Sequence, residues 1–378
     1  MLEVLLWGSI AVLAYIYAGY PLVVLTLGRL FPRRVLQGPA LPTVTAIVAA
    51  YNEGQHIASK LHNILTLDYP PDCLDVIVAS DASSDETDRI VGEFSATNVH
   101  LLRVDGRQGK TACQNAAAAA AKGEVLLFTD ATTALDDKSL RAIVRNFQDS
   151  QVGCVAGRLV YVTQGDDATG RGGTSYWGYE TALRMAESAL GSLIGVSGCL
   201  YAVRRSAYRP ISPELISDFV IAMDMREQGL RTVLEPAAVC IEETLDRADR
   251  ELSMRIRVGL RSLSALATRR RFLNPLHYGL FAWQLWSHKL LRYLSPLFVL
   301  LALVTNIALA LQGRHELLMA LQAAALGAGM IGFLPGRLFR HSRLMAQPYY
   351  FLLTNVASAI SLVRFLRGER VVTWTPLR

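Results

Sequence analysis

Long apolar runs lie at both ends of this chain, and a mixed, more polar sequence fills its middle. The first run extends from about Val4 to Leu30, and three more lie at about Leu294–Leu311, Leu317–Leu334 and Tyr349–Phe365. An apolar stretch of about 20 residues is long enough to cross a bilayer as a helix. Since 52% of the 378 residues are hydrophobic, we expect an integral membrane protein with a globular insert.

Basic residues cluster next to these runs. Arg33 and Arg34 follow the first run, Arg269–Arg271 precede the second, and Arg337 and Arg340 follow the third. Lys/Arg clusters beside membrane spans mark cytosolic loops. The pattern predicts a multi-pass protein of the cell inner (plasma) membrane, in contact with membrane lipids and with a cytosolic insert. The net charge of +6 comes without a nucleic-acid recognition module, so no nucleic acid partner is expected.

The number of membrane crossings stays open at this stage. We expect the first run to be a retained span, because Glu3 stands where a signal peptide has a basic start and Arg33 and Arg34 follow the run. A crossing by the last run would place the basic tail Arg364–Arg378 outside the cell, against the charge rule. That run also contains Asn355, so it could be re-entrant or buried in protein.

Short apolar runs of strand character alternate with amphipathic helical stretches in the middle of the chain. Runs without polar alternation are typical of strands buried on both faces. The alternation predicts an α/β fold, a doubly wound and mostly parallel sheet. The predicted strands are Val44–Ala50, Asp75–Ser80, Val99–Val104, Glu124–Thr129 and Gly153–Ala156, and the predicted helices are His56–Leu67, Glu86–Phe94, Thr111–Lys122 and Lys138–Phe147.

Four domains are predicted in chain order. Residues 1–34 form an N-terminal transmembrane helix, and residues 35–245 form the globular α/β domain. Residues 246–293 form amphipathic interface helices, since Asp246–Arg271 has apolar residues at helical spacing among its arginines and Phe272–Tyr293 is rich in interface aromatics. Residues 294–378 form a C-terminal transmembrane region and a basic tail.

Polar residues follow the first two predicted strands. Tyr51, Asn52 and Glu53 follow the first strand, and Asp81 follows the second. Ligands of doubly wound sheets bind beyond the carboxyl ends of the strands, so these side chains could hold a nucleotide base and ribose. An ordinary turn with helix-capping residues is the alternative, and it is the favoured role for Asp85.

Two later positions could handle phosphate and metal. Lys110 follows Gly109 at the start of a predicted helix, where an ammonium and the helix dipole together neutralise phosphate. Asp130 ends the fourth strand, where a carboxylate can hold a divalent cation that bridges diphosphate oxygens. A solvated lysine and a turn-capping aspartate are the alternatives.

Asp218 stands in the segment Ser217–Phe219, before a helical stretch. A carboxylate beside a donor site is what general-base catalysis needs to deprotonate an acceptor hydroxyl. It could equally well cap the helix that follows, and spacing alone does not decide between the two roles.

Taken together, these motifs resemble the family-two inverting glycosyltransferases with a GT-A fold, of the bacterial membrane-bound type related to polysaccharide synthases. The resemblance covers about Thr43 to Glu243. The motifs that carry it are TAIVAAYNE, VIVASDASSDET, the pair Gly109-Lys110, LLFTDATT, YWGYE, GVSGCLYAVRR and SDF, and SHKLLR at Ser287–Arg292 is also similar.

The resemblance implies a nucleotide-sugar donor whose nucleoside, usually uridine, binds to Tyr51, Glu53 and Asp81. It implies that Lys110 supports this pocket or the diphosphate. The donor would then be a UDP sugar.

The resemblance also implies the groups that act in catalysis. Asp130 would hold Mg²⁺ or Mn²⁺, and Asp218 would be the catalytic base of a single inverting displacement. Ser197 and Gly198 would line the strand on the acceptor side.

Two positions depart from the family pattern. Thr132 stands where the metal-binding DxD motif usually has its second acid. The segment Met254–Gly259 has neither the Gln nor the Trp of the QxxRW motif of processive synthases, which leaves Arg257 or Arg261 to contact the diphosphate.

Three functions remain open on the sequence. The interface helices and C-terminal runs favour extension of a growing cell-surface polysaccharide, whereas the missing QxxRW favours addition of a single sugar to a lipid-linked acceptor. A catalytically silent membrane subunit or transporter is the alternative of another class. The sequence does not fix the sugar, the glycan or lipid acceptor, or the oligomeric state.

Overall fold

The structure is a computed structural model that describes residues 1–94, 97–162, 168–243, 248–331 and 343–373. The chain divides into two compact units. The sheet unit contains Leu27–Val162, Arg184–Glu243 and Val371–Arg378, and the helical unit contains Met1–Thr26, Thr163–Leu183 and Thr244–Arg370.

Helices and strands alternate along the sheet unit, as predicted. The strands are β1 Val44–Ala50, β2 Leu74–Ser80, β3 Val99–Arg103, β4 Val125–Asp130, β5 Ala134–Leu135, β6 Val152–Val162, β7 Leu200–Arg204 and β8 Arg231–Glu243. The helices, numbered along the whole chain, are α1 Leu2–Leu30, α2 Ile57–Leu65, α3 Thr87–Glu93, α4 Lys110–Ala120, α5 Ser139–Val144, α6 Ala168–Leu190, α7 Ser217–Glu227, α8 Ala248–Thr268, α9 Pro275–Ala310, α10 Glu316–Ile331 and α11 Arg343–Leu366.

One sheet joins the eight strands in the order β3-β2-β1-β4-β7-β6-β8-β5. The pairs β3–β2, β2–β1, β1–β4 and β6–β8 are parallel, and the pairs that involve β7 or β5 are antiparallel. All seven residues of β1 are buried, as its uninterrupted apolar run predicts. The predicted α/β, mostly parallel sheet is therefore confirmed.

Two strands of the sheet, β7 and β8, have no counterpart among the strands predicted from apolar runs. Strand β7 is short and follows the turn Ser197–Gly198, and β8 contains Pro236, which lacks a backbone N–H and marks an irregular stretch in a strand. The pairing of β6 with β8 shifts register between Gly157 and Arg158 at this place. Strand β6 itself runs to Val162, beyond its predicted end.

The register of the parallel strands brings their carboxyl ends to one edge. Ala49 pairs with Asp130 across β1 and β4, and Ala50 pairs with Ser80 across β1 and β2. The residues that follow these strands therefore lie side by side, which is the arrangement that the sequence predicts for a ligand site.

Helices of the helical unit account for the apolar runs. Three of them are long and apolar enough to cross a membrane by length and composition: Leu2–Leu30, Pro275–Ala310 and Gln347–Leu366. The helix α10 is apolar but shorter in its described part. Residues 332–342, which include Arg337 and Arg340, lie outside the described residues.

The predicted domain limits stay a prediction, and the structure differs from them in two places. The segment Thr163–Leu183 lies inside the predicted domain 35–245 but belongs to the helical unit. The predicted limit at residues 293 and 294 falls inside α9, which continues through a π-helical turn at Leu285–Leu290. The helix continues past this limit even though Pro296 lies inside it, and the non-helical backbone in α9 lies earlier, at Gly279.

A buried group of charged side chains lies within the helical unit. Glu180 of α6 accepts a hydrogen bond from Arg292 Nη1 at 2.9 Å and lies 2.8 Å from His288 Nε2. Glu180 and His288 are almost fully buried. The contacts join the two sequence motifs YWGYE and SHKLLR, which are far apart in the chain, and they explain why this part of α6 belongs to the helical unit.

Candidate active site

Hydrogen bonds join the turn after β1 to the turn after β2. Asn52 and Ala82 have positive φ angles of 53° and 55°. The Asn52 side-chain oxygen accepts a hydrogen bond from Ser84 N at 2.8 Å, and Asn52 N donates to Ser83 Oγ at 3.1 Å. These bonds hold the turns in which Asn52 and Ala82 adopt left-handed backbone, a conformation that Asn tolerates and that is strained for Ala.

Glu53 is buried in this pair of turns. Its backbone N–H donates to Thr87 Oγ1 at 2.8 Å, and 7% of the residue is exposed. Asp85 accepts from Gly54 N and from Thr87 N, both at 3.0 Å. Asp85 therefore satisfies a backbone amide at the start of α3, although the N-cap position of that helix is Glu86 and not Asp85 as predicted.

Tyr51 lies under an arginine that the sequence did not single out. The guanidinium carbon of Arg107 is 3.6 Å from the centre of the Tyr51 ring. This cation–π contact joins the turn after β1 to the loop before α4. No motif of the sequence points to Arg107, because the contact depends on how the two loops meet.

Asp81 is fully buried and holds the start of α4. Its Oδ1 accepts from Gln108 N at 2.7 Å and from Gly109 N at 3.1 Å, and its Oδ2 is also 3.1 Å from Gly109 N. These charge-assisted bonds fix the backbone before Lys110. The structure thus places Asp81 beneath the turn that presents Lys110.

Position 109 requires a glycine, both for its backbone conformation and because another segment of the chain comes close to it. Its φ is +91°, and a Cβ there would lie 2.5 Å from the carbonyl oxygen of Val372. The segment that follows α11 therefore passes directly against this turn. The sequence predicts only a basic tail there, because its residues carry no pattern that indicates where it contacts the fold.

Lys110 forms an ion pair with Asp130. Burial lowers the pKa of Lys110, but the Asp130 carboxylate, and Asp218 in addition, outweigh that effect and keep the pKa above its usual value. Lys110 is therefore cationic at neutral pH. The predicted alternative of a solvated lysine does not describe it, because 23% of its side chain is exposed and its ammonium contacts a carboxylate.

Asp218 lies in the first turn of α7 and does not cap that helix through its side chain. The N-cap residue is Ile216, with no side-chain capping bond. A Cβ on Gly198 would lie 3.0 Å from Asp218 Oδ2 and 3.4 Å from Lys110 Nζ, so both groups border the same glycine. The backbone bond from Val196 N to Asp218 O, 2.8 Å long, ties the turn at Ser197–Gly198 to Asp218.

The residues at the strand ends fit a single divalent cation. Within the described ranges, no three His, Cys, Asp or Glu side chains gather into a group that could hold a metal ion. Asp130 offers one carboxylate whose side chain is 30% exposed. Mg²⁺ commonly keeps waters and substrate phosphate oxygens around one or two protein carboxylates, so Asp130 fits this role.

The predicted site residues separate into two groups. The sheet unit brings Lys110, Asp130, Asp218 and Gly198 together, with the turns that carry Tyr51, Glu53 and Asp81 at the same sheet edge. Ser197 lies in the turn beside them, and its Oγ is 3.2 Å from Cys199 Sγ. Arg257 belongs to the helical unit, where it is half-buried on α8, and its role stays a prediction.

This sheet, with acidic groups and a lysine at the carboxyl ends of its strands, has the GT-A fold of nucleotide-sugar enzymes. A solved mannosyltransferase from Pyrobaculum calidifontis, in complex with GDP-Man and Mn²⁺, superposes with a TM-score of 0.73. It is 25% identical, and the match covers 98% of this chain and 100% of that chain.

Residues 42–263 match the family model described as "Glycosyltransferase like family 2". The match covers more than half of the chain, so the chain belongs to this family. The predicted family is thereby confirmed.

Two further relatives are similar over about half of the chain. The β-monoglucosyldiacylglycerol synthase of Trichormus variabilis is 28% identical over 215 residues, which are 54% of this chain and 45% of the relative. The poly-β-1,6-N-acetyl-D-glucosamine synthase of Staphylococcus aureus is 24% identical over 215 residues, 54% of this chain and 52% of the relative. The chain spans about half the length of these curated relatives.

Proposed function

We propose that this protein is an inverting glycosyltransferase of the membrane that transfers a sugar from a nucleoside-diphosphate sugar to a hydroxyl group of a glycan or lipid acceptor. The observation that carries the proposal is that Asp218 and Lys110 both border Gly198, with Asp130 paired to Lys110. A base, a cation for the leaving group and a metal ligand then lie within one strand-end site.

The Asp218 carboxylate would accept the proton of the acceptor hydroxyl. The hydroxyl oxygen then bonds to the anomeric carbon as the bond from that carbon to the diphosphate oxygen breaks, and the bonding pair leaves with the diphosphate. One displacement of this kind inverts the anomeric configuration without a covalent sugar–enzyme intermediate.

Lys110 would stabilise the charge that develops on the leaving diphosphate, because its pKa keeps it cationic. Asp130 would hold Mg²⁺ or Mn²⁺, and the bound cation neutralises diphosphate charge. Asp81 positions the backbone before Lys110, and the turns with Tyr51 and Glu53 would bind the nucleoside. Support for a metal comes from the Mn²⁺ that the related mannosyltransferase contains.

Two nucleotides, UDP and GDP, are candidates for the donor. The sequence resemblance favours UDP, whereas the related mannosyltransferase was solved with GDP-Man. A screen of UDP and GDP sugars, each with Mg²⁺ and with Mn²⁺, would identify the donor of the purified full chain.

Two acceptors are compatible with this chemistry. Similarity to a glucosyldiacylglycerol synthase favours addition of one sugar to a lipid, as does the absence of Gln and Trp from Met254–Gly259 on α8. Similarity to a poly-N-acetylglucosamine synthase favours extension of a polysaccharide. With a labelled donor, a ladder of products would support extension, and a single product would support lipid glycosylation.

The decisive test is Asp218→Asn, which keeps the size of the side chain and removes the base. We expect kcat to fall by about a hundredfold to ten-thousandfold, the usual contribution of a general base, with nucleotide affinity unchanged. Glu227→Gln is the matched control, because Glu227 is an exposed acid on the same helix. Retained turnover in Asp218→Asn would refute the proposal. Retained function in both Asp218→Asn and Asp130→Asn would point to a catalytically silent subunit or a transporter.

The cellular setting is also part of the proposal. Three helices suitable for crossing a membrane and the arginines beside them support a multi-pass protein with a cytosolic sheet unit. Protease protection of inside-out and right-side-out membrane vesicles would test this orientation.

A further inference from the structure

Lys60 is a buried cation close to the proposed metal ligand. It lies on α2 among Ile57, Leu61 and Ile64, which are fully buried, and only 2% of Lys60 itself is exposed. Lysines are almost never buried to this extent unless their ammonium is well bound. In the sequence, the signal is a lysine among the apolar positions of the predicted helix His56–Leu67.

The ammonium of Lys60 binds both ends of the turn that carries Asp130. It donates to Thr129 Oγ1 and to the carbonyl oxygen of Thr133, both at 2.8 Å, and lies 3.4 Å from Thr133 Oγ1. Thr129 directly precedes Asp130 and Thr133 follows it by three residues. Thr133 Oγ1 also donates to the backbone oxygen of Asp130 at 3.1 Å, which closes the turn.

The same bonds extend toward the acceptor side of the site. Thr129 Oγ1, which accepts from Lys60, donates to the carbonyl oxygen of Cys199 at 2.9 Å. Cys199 directly follows Gly198, the residue that borders Asp218. One ammonium thus orders the turn of Asp130 and, through Thr129, the turn beside the proposed base.

The charge of Lys60 is not explained by an ion pair. In the part of the chain that the structure describes, its hydrogen bonds go to threonine oxygens, and no carboxylate lies within salt-bridge distance of it. Burial lowers the pKa of Lys60 to about 8, although nearby Cys240 and Asp130 act in the opposite direction. The fold therefore retains a costly buried cation at this place, where an apolar side chain would pack without that cost.

We propose that Lys60 is a positioning residue for the metal ligand: its ammonium clamps Thr129 and Thr133 so that the Asp130 carboxylate is held in the orientation that receives the divalent cation and the donor diphosphate. This inference rests on the proposed function, in which Asp130 holds the cation. Residues that orient a metal ligand from behind commonly change metal affinity by about tenfold to a hundredfold when they are replaced.

The test measures Mn²⁺ binding directly, by electron paramagnetic resonance of the free ion, on the purified full chain with the nucleoside diphosphate of its donor present. Lys60→Met keeps most of the apolar stem and removes the ammonium. We expect its Mn²⁺ dissociation constant to rise by about tenfold to a hundredfold. Lys122→Met is the matched control, since Lys122 is an exposed lysine that lies outside the helices and strands, and we expect wild-type binding.

A second variant keeps the proposal testable if Lys60→Met does not fold. Thr133→Val has nearly the same shape, retains Lys60 and removes the hydroxyl that joins it to the Asp130 backbone. We expect weaker Mn²⁺ binding in a variant that still folds, which a cooperative thermal unfolding transition would show. In the double variant, Thr133→Val should add little to the effect of Lys60→Met, because both act on one network.

Three outcomes have distinct meanings. Weaker Mn²⁺ binding in Lys60→Met or Thr133→Val, with Asp130→Asn losing binding, supports the clamp. Wild-type binding in the folded lysine and threonine variants, with Asp130→Asn still losing it, overturns the clamp and leaves the proposed function intact. Wild-type binding in Asp130→Asn overturns the metal assignment and the clamp with it.

Discussion

Gly198 offers a way to displace the proposed base without changing its chemistry. In Gly198→Ala the new methyl carbon would lie 3.0 Å from Asp218 Oδ2, whereas ordinary contacts of this kind begin at 3.4 Å. The carboxylate must therefore retreat by about 0.4 Å to restore a normal contact. Because the atom that has to move is the far end of a side chain, we expect the fold to accommodate the change.

The expected cost in rate follows from this displacement. A reacting group misplaced by about 1 Å can lower the rate about a hundredfold. A shift of about 0.4 Å then predicts a fall in kcat of roughly sixfold to tenfold, or about 1 kcal/mol of transition-state stabilisation. Nucleotide affinity should stay constant, since Asp218 acts on the acceptor.

The assay is steady-state transfer with saturating donor and metal, together with calorimetric titration of the nucleoside diphosphate. Gly191→Ala is the control, because a Cβ at Gly191 meets no atom within 4 Å. If Gly198→Ala turns over like the control, the position of the Asp218 carboxylate does not limit the rate and the assignment of the base loses its support.

Two further variants probe other parts of the structure. Asp81→Asn replaces a charged acceptor of the amides at Gly109 and its neighbour by a neutral one, and we expect a loss of about 1–3 kcal/mol in holding this turn. Isothermal titration calorimetry should therefore show roughly tenfold weaker binding of the nucleotide. An unchanged affinity would contradict the proposal that Asp81 positions the backbone before Lys110. Glu180→Gln leaves Arg292 and His288 without their buried carboxylate, which we expect to cost about 3–5 kcal/mol. Thermal unfolding in detergent should show a clear drop in the melting temperature, and a wild-type value would mean that this group does not stabilise the helical unit.

The strands that are buried on both faces were predictable from sequence. The run at Val44–Ala50 was predicted with its observed ends, and the residues after β1, β2 and β4 lie at one sheet edge as expected. The short antiparallel strand β7 and the long strand β8, which Pro236 interrupts, were missed. The apolar run of β7 is only four residues long, and Glu235 and Pro236 divide the apolar residues of β8. Runs this short do not identify a strand by themselves, so the place of β7 and β8 in the sheet depends on partners that are distant in sequence.

The site was predictable to the level of residue types, and its contacts were not. The sequence left Asp218 equally suited to capping α7 and to acting as a base, and only the backbone at Ile216 shows that its side chain is not the cap. Lys110 was predicted to act on phosphate, and the structure adds its ion pair with Asp130. Such contacts join side chains that are 20 or more residues apart in the sequence. The spacing of motifs along the chain does not predict them.

The fold class and the strand-end positions of the candidate residues follow from the sequence alone, because buried strands leave apolar runs along the chain, and the family follows from the motifs at those strand ends. The contacts of Lys60 with the turn of Asp130, the pairing of Glu180 with His288 and Arg292, and the approach of Val372 to Gly109 are visible in the three-dimensional structure alone. These contacts join residues far apart in the chain. The physical reason is that burial of a charge or a close backbone approach depends on the three-dimensional neighbours of a residue, which no local pattern records.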